Sequence, residues 1–190
     1  DEIEPITPYG QTKAAIECLL NDLNKISSDW KIATLRYFNP ISSHPSGLLP
    51  ENPSGTPNNI FPLLKKVAFG QKKEFYIFGN DWPTHDGTAI RDYIHVMDLA
   101  EAHIDVLEFI LLKSSILLNL NVGTGKGTSV LELINVFEQV NKVKIPYIFT
   151  QRRKGDLGIV VADNTKITRL LNWSAARSIE RMCKDGWIKK

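Results

Sequence analysis

A tyrosine and a lysine four residues apart, in the run Tyr9-Gly10-Gln11-Thr12-Lys13, are the pair in this chain best spaced for proton transfer. On a helix they stand on one face, one turn apart. A phenol is a poor base near neutrality, because its ordinary pKa is about 10. A neighbouring ammonium favours the phenolate and lowers that value, so Tyr9 could exchange a proton with a substrate hydroxyl. The same spacing also suits a tyrosine at a helix start and a solvated lysine, and the motif alone does not decide between them.

Other side chains could grip an anion or a planar ring. Arg91 and Arg153 fall in loop-like stretches, and a guanidinium fork matches a phosphate bidentately. Asn39, Asn58 and Asn59 bracket a long polar stretch and could offer amides to a polar ligand. Phe78 closes a strand and could stack on a base. Each has a plainer alternative: surface arginine, turn asparagine, core aromatic. Gly123-Thr124-Gly125-Lys126-Gly127-Thr128-Ser129 resembles a phosphate cradle between strand and helix, yet the dinucleotide pattern needs glycine where Thr128 stands. The P-loop spacing fails as well, so a tight strand-to-helix turn is the preferred reading.

The elements that must position these residues alternate. Thr7 as N-cap and Pro8 at the first helical position start a helix whose apolar residues Ala15, Leu19, Leu23 and Ile26 recur at helical spacing. A strand over 31–38 follows, stopped by Asn39-Pro40, then a Pro/Gly/Ser/Asn-rich loop over 41–59. The pattern next predicts a helix at 59–70, a strand at 73–78, a polar loop at 82–92, a strand at 93–96 and a helix at 99–112. Asp98 and Glu101 have capping-box spacing for that last helix. A strand at 117–122, the glycine turn, a helix at 129–140, a strand at 145–149, a charged loop at 152–158 and a short strand at Val160-Val161 come after. Two closing helices lie near 164–171 and 176–187. Alternation of this kind predicts an α/β protein.

Composition narrows the partners. With 190 residues and 43% apolar content the chain can bury one sizeable core or two small ones, and a formal charge of +2 gives no reason to expect nucleic acid or an acidic membrane. No run is long enough to span a membrane. Cys18 and Cys183 suggest no disulfide framework, which points to a reducing, cytoplasmic setting. His44, His85, His95 and His103 have no metal-ligand spacing, so no metal is expected. The chain opens at Asp1 in what reads as a loop running into a helix, and is expected to be a fragment of a longer protein.

Several segments together resemble the UDP-glucose 4-epimerases, which are extended short-chain dehydrogenases/reductases. They are Tyr9-Gly-Gln-Thr-Lys13, Arg36-Tyr-Phe-Asn-Pro40, His44-Pro-Ser-Gly47, Pro57-Asn-Asn59, Ile77-Phe-Gly-Asn80, Asp86-Gly-Thr88, Arg91-Asp-Tyr-Ile-His-Val96 and Arg152-Arg-Lys-Gly-Asp156, in that order. The resemblance runs from Tyr9 to about Trp187. It departs at Ile41-Ser42-Ser43, where the family usually carries a glycine and a small residue, and at His85, which replaces a charged residue.

The resemblance implies a fold, a reaction and a set of roles. Residues 1–40 would end a Rossmann-type NAD-binding domain, and 41–190 would be mainly a UDP-sugar domain, with 91–122 packing back onto the first sheet. Tyr9 would be catalytic base and acid, and Lys13 would hold the nicotinamide ribose of NAD and lower the Tyr9 pKa. Asn39, Asn59, Arg91, Arg153 and Asp156 would hold UDP, with Phe78 near the uracil and Val160 beside the sugar C2 substituent. The glycine-rich NAD loop and the Ser/Thr paired with the tyrosine would lie upstream of Asp1. The activity implied is interconversion of UDP-glucose and UDP-galactose by transient oxidation at sugar C4, in a homodimer when full length. A nucleotide-sugar 4,6-dehydratase or decarboxylase, or a non-catalytic nucleotide-sugar-binding fragment, are the alternatives.

Overall fold

Thr7 opens the first helix as the sequence predicts: its Oγ1 accepts from the backbone N–H of Gly10, and Pro8 occupies the first turn of α1, Pro8–Ile26. The computed structural model describes residues 4–51, 55, 57 and 59–187. The expected apolar face of α1 is not turned inward. Leu19 is 64% and Ile26 81% exposed, because no described segment covers them. The helix instead buries Glu17, which takes a two-pronged bond from Arg36, with Nε 2.7 Å from Oε1. That ion pair raises the Arg36 pKa and ties α1 to the first strand.

β1, Lys31–Tyr37, pairs in parallel with β6, Ile116–Val122, in the register Lys31↔Ile116 to Tyr37↔Val122. Asn39-Pro40 does not simply stop the chain. It continues as β2, Asn39–Ile41, parallel to β5, Tyr93–His95. Helix α2 spans Ile60–Ala68, with Pro62 in its first turn. β3, Phe75–Phe78, pairs in parallel with β8, Tyr147–Thr150. The polar loop expected over 82–92 contains a strand, β4, Ile90–Arg91. It runs antiparallel to β7, Thr128–Ser129, and parallel to β9, Ile159–Val160. Parallel strands linked through helices make this an α/β fold.

Helix α3, Val96–Leu111, begins three residues before its expected start. The His95 side chain caps it by accepting from the N–H of Met97 at 3.0 Å. Asp98 and Glu101 therefore do not form the capping box; both bind Arg177, which reaches across from the C-terminal segment. Ser129 and Glu132 form a true capping box at the start of α4, Val130–Asn141. Two shorter helices close the chain, α5 at Thr165–Leu171 and α6 at Ile179–Gly186.

The core has two centres. One packs Phe61, Leu64, Ile77, Leu133, Phe137 and Met182 between α2, β3, α4 and α6; the other packs Ile94, Ala102, Val106, Leu120, Val122 and Ile167 around α3 and β6. Each large aliphatic or aromatic side chain buried this fully contributes roughly 1.5–3 kcal/mol relative to exposure. β2, β4 and β5 carry Asn39, Arg91 and Tyr93 of the candidate site.

Candidate active site

Six of the side chains singled out for ligand contact line one cavity of about 320 Å³: Asn39, Asn59, Phe78, Arg91, Arg153 and Asp156. That volume is in the usual range for a small-molecule site. Asn58 lies outside the described residues. β2 brings Asn39, the start of α2 brings Asn59, the end of β3 brings Phe78, and β4 brings Arg91.

Arg91 is the group with most to gain from an anion. Burial pulls its pKa below the usual arginine value, with Tyr93 and Asp156 acting in the opposite direction. Its Nη1 donates only to the carbonyl of Ile90, at 2.8 Å, and no carboxylate among the described residues forms an ion pair with it. Tyr93, the next residue but one, also lines the cavity, and its burial raises the phenol pKa, so it remains a hydrogen-bond donor. Sequence reasoning missed Tyr93 as a site residue, although it stands inside the quoted Arg91–Val96 segment.

Arg153 stacks its guanidinium over the Phe78 ring, 4.7 Å from the centroid, and donates from Nε to Asp156 at 2.9 Å. The loop carrying both is held from below. Arg152 lies 4.0 Å over the Trp82 ring and donates to Asp81, while the Trp82 indole N–H donates to the Phe78 carbonyl at 3.2 Å. Gly158 is required at this contact, since a Cβ there would come within 2.9 Å of the Trp82 ring. The Asn39 side-chain amide bonds no described residue; burial raises the Glu51 pKa, and the nearby Asn59 side chain acts in the opposite direction.

Val160, on β9, pairs with Arg91 but does not line this cavity. Tyr9 and Lys13 do not line it either. They stand on α1, Tyr9 72% exposed, with the Lys13 ammonium 5.3 Å from the centre of its ring. Lys13 makes no ion pair with any described carboxylate, so its donors are open to a ligand. The Gly123–Gly127 turn is a turn, as expected, and it does cradle an anion; that anion is the carboxylate of Asp92.

Parallel strands linked through helices, with an arginine-lined cavity among them, define an α/β protein. A family model described as GDP-mannose 4,6 dehydratase matches residues 1–186, and the chain belongs to that family, within the extended short-chain dehydrogenases/reductases. It is 49% identical to the UDP-glucose 4-epimerase of Bacillus subtilis over 180 residues, which is 95% of this chain and 53% of that protein. Its structure is similar to that of UDP-glucose 4-epimerase from Stenotrophomonas maltophila with bound NAD and formylated UDP-arabinopyranose, with a TM-score of 0.93 at 47% identity over 97% of this chain and 55% of that one. The enzyme from Bifidobacterium longum in complex with NAD+ and UDP gives a TM-score of 0.91 at 41% identity, over 96% of this chain and 54% of that one. The chain thus spans about half the length of the curated relatives it matches.

Proposed function

We propose that this chain is the UDP-sugar-holding and proton-transferring part of a UDP-glucose 4-epimerase that interconverts UDP-glucose and UDP-galactose. The observation that carries the reading is the convergence of Asn39, Asn59, Phe78, Arg91, Arg153 and Asp156, drawn from distant stretches of sequence, on one cavity.

Arg91, half-buried and in no ion pair with a described carboxylate, is the natural grip for a diphosphate. Phe78 and Arg153 offer a flat, stacked wall to uracil. Asn39 brings a free amide. The grip is firm on the nucleotide and sparse on the sugar, which suits a reaction in which the hexose must present both faces in turn.

Tyr9 is the base and then the acid: its phenolate oxygen takes the proton of the sugar 4-hydroxyl and returns it to the opposite epimer. Lys13 holds the nicotinamide ribose, a role its open donors and its place beside the Tyr9 ring fit. NAD, when bound, supplies the acceptor and donor of hydride at C4.

In this reading residues 1–40 close an NAD-binding domain, 41–190 form mainly the UDP-sugar domain, and 91–122 return to the first sheet. The whole protein is a cytoplasmic homodimer. Turnover belongs to that whole protein. The chain alone is expected to bind UDP without epimerising UDP-galactose. Calorimetric titration with UDP, ADP and uridine tests this: UDP should bind, with ADP and uridine clearly weaker. Equal binding of UDP and ADP, or no heat with UDP, would refute the reading.

A further inference from the structure

Asp92 is a fully buried carboxylate that forms no ion pair with any described residue. What surrounds it is a ring of neutral donors. Its Oδ1 accepts from the backbone N–H of Thr124 at 2.8 Å and from the Thr124 hydroxyl at 2.6 Å; its Oδ2 accepts from the N–H of Gly125 at 2.9 Å and of Ala162 at 3.2 Å. Backbone N–H groups converging from a glycine turn form the kind of concavity that elsewhere binds phosphate. Here the chain fills it with its own side chain. Gly123 is part of the fit, because a Cβ there would stand 2.6 Å from Oδ2 and 2.6 Å from the Ala162 Cβ.

The main chain of the same residue ties β9 on one side to the cavity residue Asn39 on the other. The Asp92 N–H donates to the carbonyl of Val160 at 3.1 Å, and its carbonyl accepts from the N–H of Asn39 at 2.9 Å. Its sequence neighbours are Arg91 and Tyr93, which both line the cavity. The short strands β4 and β9 have only two residues each and pair over Ile90↔Ile159 and Arg91↔Val160. Two-residue strands have little stability of their own. A carboxylate that binds the turn after β6 and Ala162, two residues beyond β9, at once supplies what their ladder lacks.

From this geometry we infer that Asp92 is a positioning residue for the diphosphate grip: by occupying the glycine-turn anion cradle it fixes the strand that aims Arg91 into the cavity. The inference rests on the UDP reading above. It assigns the glycine motif an internal anion in place of a phosphate ligand, and it explains why a nest-like sequence occurs where the dinucleotide pattern fails.

The test uses the chain itself and compares its affinity for UDP with that for uridine, which lacks the phosphates. Asp92→Asn turns an acceptor into an amide that cannot serve all these donors. It should weaken UDP by about tenfold or more, the scale of one charge-assisted phosphate contact. Uridine binding should stay within about twofold, because the Phe78 wall is built on β3 and does not depend on Asp92. Thr124→Val, which removes one donor from the cradle, should lower the UDP-over-uridine ratio in the same direction by a smaller factor, and Thr124→Ser should restore it. Thermal melts show which variants fold, and if Asp92→Asn does not, the Thr124 pair decides. A folded Asp92→Asn that loses UDP and uridine equally, or a Thr124→Val with the wild-type ratio, overturns the inference. A wild-type chain that does not bind UDP at all instead overturns the underlying reading, and is told apart by that fact.

Discussion

His95 Nε2 lies 3.4 Å from the Asp185 carboxylate, with the imidazole fully buried. The other ring nitrogen, Nδ1, accepts from the N–H of Met97, so the neutral ring carries its proton on Nε2, facing Asp185 and the Ser42 hydroxyl at 3.1 Å. A serine, a histidine and an aspartate meet here without forming a nucleophilic triad. Both partners share one nitrogen, and Nδ1, which a triad aspartate would hold, is committed to capping α3. The contact holds β5, the Ser42 turn and α6 together.

Protonating His95 would cost that cap, and the surroundings oppose it. Burial lowers the His95 pKa, nearby Arg177 lowers it further, and Asp185 and Asp98 pull the other way; Arg181 pairs with Asp185 and weakens its pull. With the folded pKa below the ordinary histidine value of about 6.5, the unfolded chain binds the proton first as pH falls. Stability contributed by His95 is therefore complete above about pH 6.5 and is lost as pH falls from there through the depressed folded value. Urea unfolding between pH 7.5 and 5.5 should show stability declining on the acid side. His95→Gln should be less stable at pH 7.5 and show a flatter dependence. An unchanged slope in His95→Gln would assign the decline to other groups.

Ser42 sits at a φ of +81°, in the left-handed region that favours glycine. The turn survives with a strained residue because the serine hydroxyl bonds His95. Ser42→Gly relieves the strain and loses the bond; Ser42→Ala keeps the strain and loses the bond. The alanine variant should be less stable than the glycine variant by about 1 kcal/mol or more, with glycine near wild type. Equal stabilities of the two variants in denaturant melts would remove the strain argument.

Much of the fold was legible because it rests on local signals. Thr7-Pro8 marks the start of α1, Ser129 with Glu132 marks α4, and the apolar runs of β1 and β6 read as parallel strands. What failed depends on distant partners. β2, β4 and β7 are two or three residues long, too short to show alternation, and exist only through pairing. Asp98 and Glu101 imitate a cap in sequence, and only the fold brings Arg177 to them. The exposed apolar stripe of α1 carried the period of a buried face while its glutamate took the inward position. At the site, motifs gave the residues lining the cavity, but Asp92 and Tyr93 were passed over because neither burial nor the donors around a carboxylate can be read from spacing.

Arg91 gives the direct test of the anion grip. Arg91→Met removes the charge while keeping much of the side-chain volume, and should weaken UDP binding to the chain by about 10- to 100-fold, the worth of a charged hydrogen bond to phosphate. Uridine should be little affected. Salt should weaken the wild-type UDP complex more than that of the variant. If UDP and uridine respond alike in calorimetry, Arg91 does not face the phosphates.

Tyr9 and Lys13 can be tested only where turnover occurs, in the whole protein. Tyr9→Phe should bind UDP nearly as well as wild type and slow turnover by about 100-fold or more, the usual worth of general acid–base help. Lys13→Met should weaken NAD retention, because the ribose loses a charged hydrogen-bond donor. A Tyr9→Phe protein with wild-type turnover would remove Tyr9 from the chemistry.

The choice of sugar turns on Val160. Its backbone is fixed by pairing with Arg91 and by the bond from Asp92, and the loop before it is set by Gly158 against Trp82. The resemblance to the epimerases implies that the side chain at this position would stand beside the sugar C2 substituent. Tyrosine there would crowd an N-acetyl group, and a small residue would admit one. Valine is intermediate: much smaller than tyrosine, but branched at Cβ and held to few rotamers, so it cannot swing aside. UDP-glucose and UDP-galactose should therefore be preferred, with the N-acetylated pair accepted more weakly. Val160→Tyr should lower affinity for UDP-N-acetylglucosamine relative to UDP-glucose by about tenfold or more, since filling the space costs about 1–3 kcal/mol in overpacking. Competition of each sugar nucleotide against UDP, in wild type and variant, reads that ratio directly. A ratio unchanged by the tyrosine would mean that Val160 is not the gate.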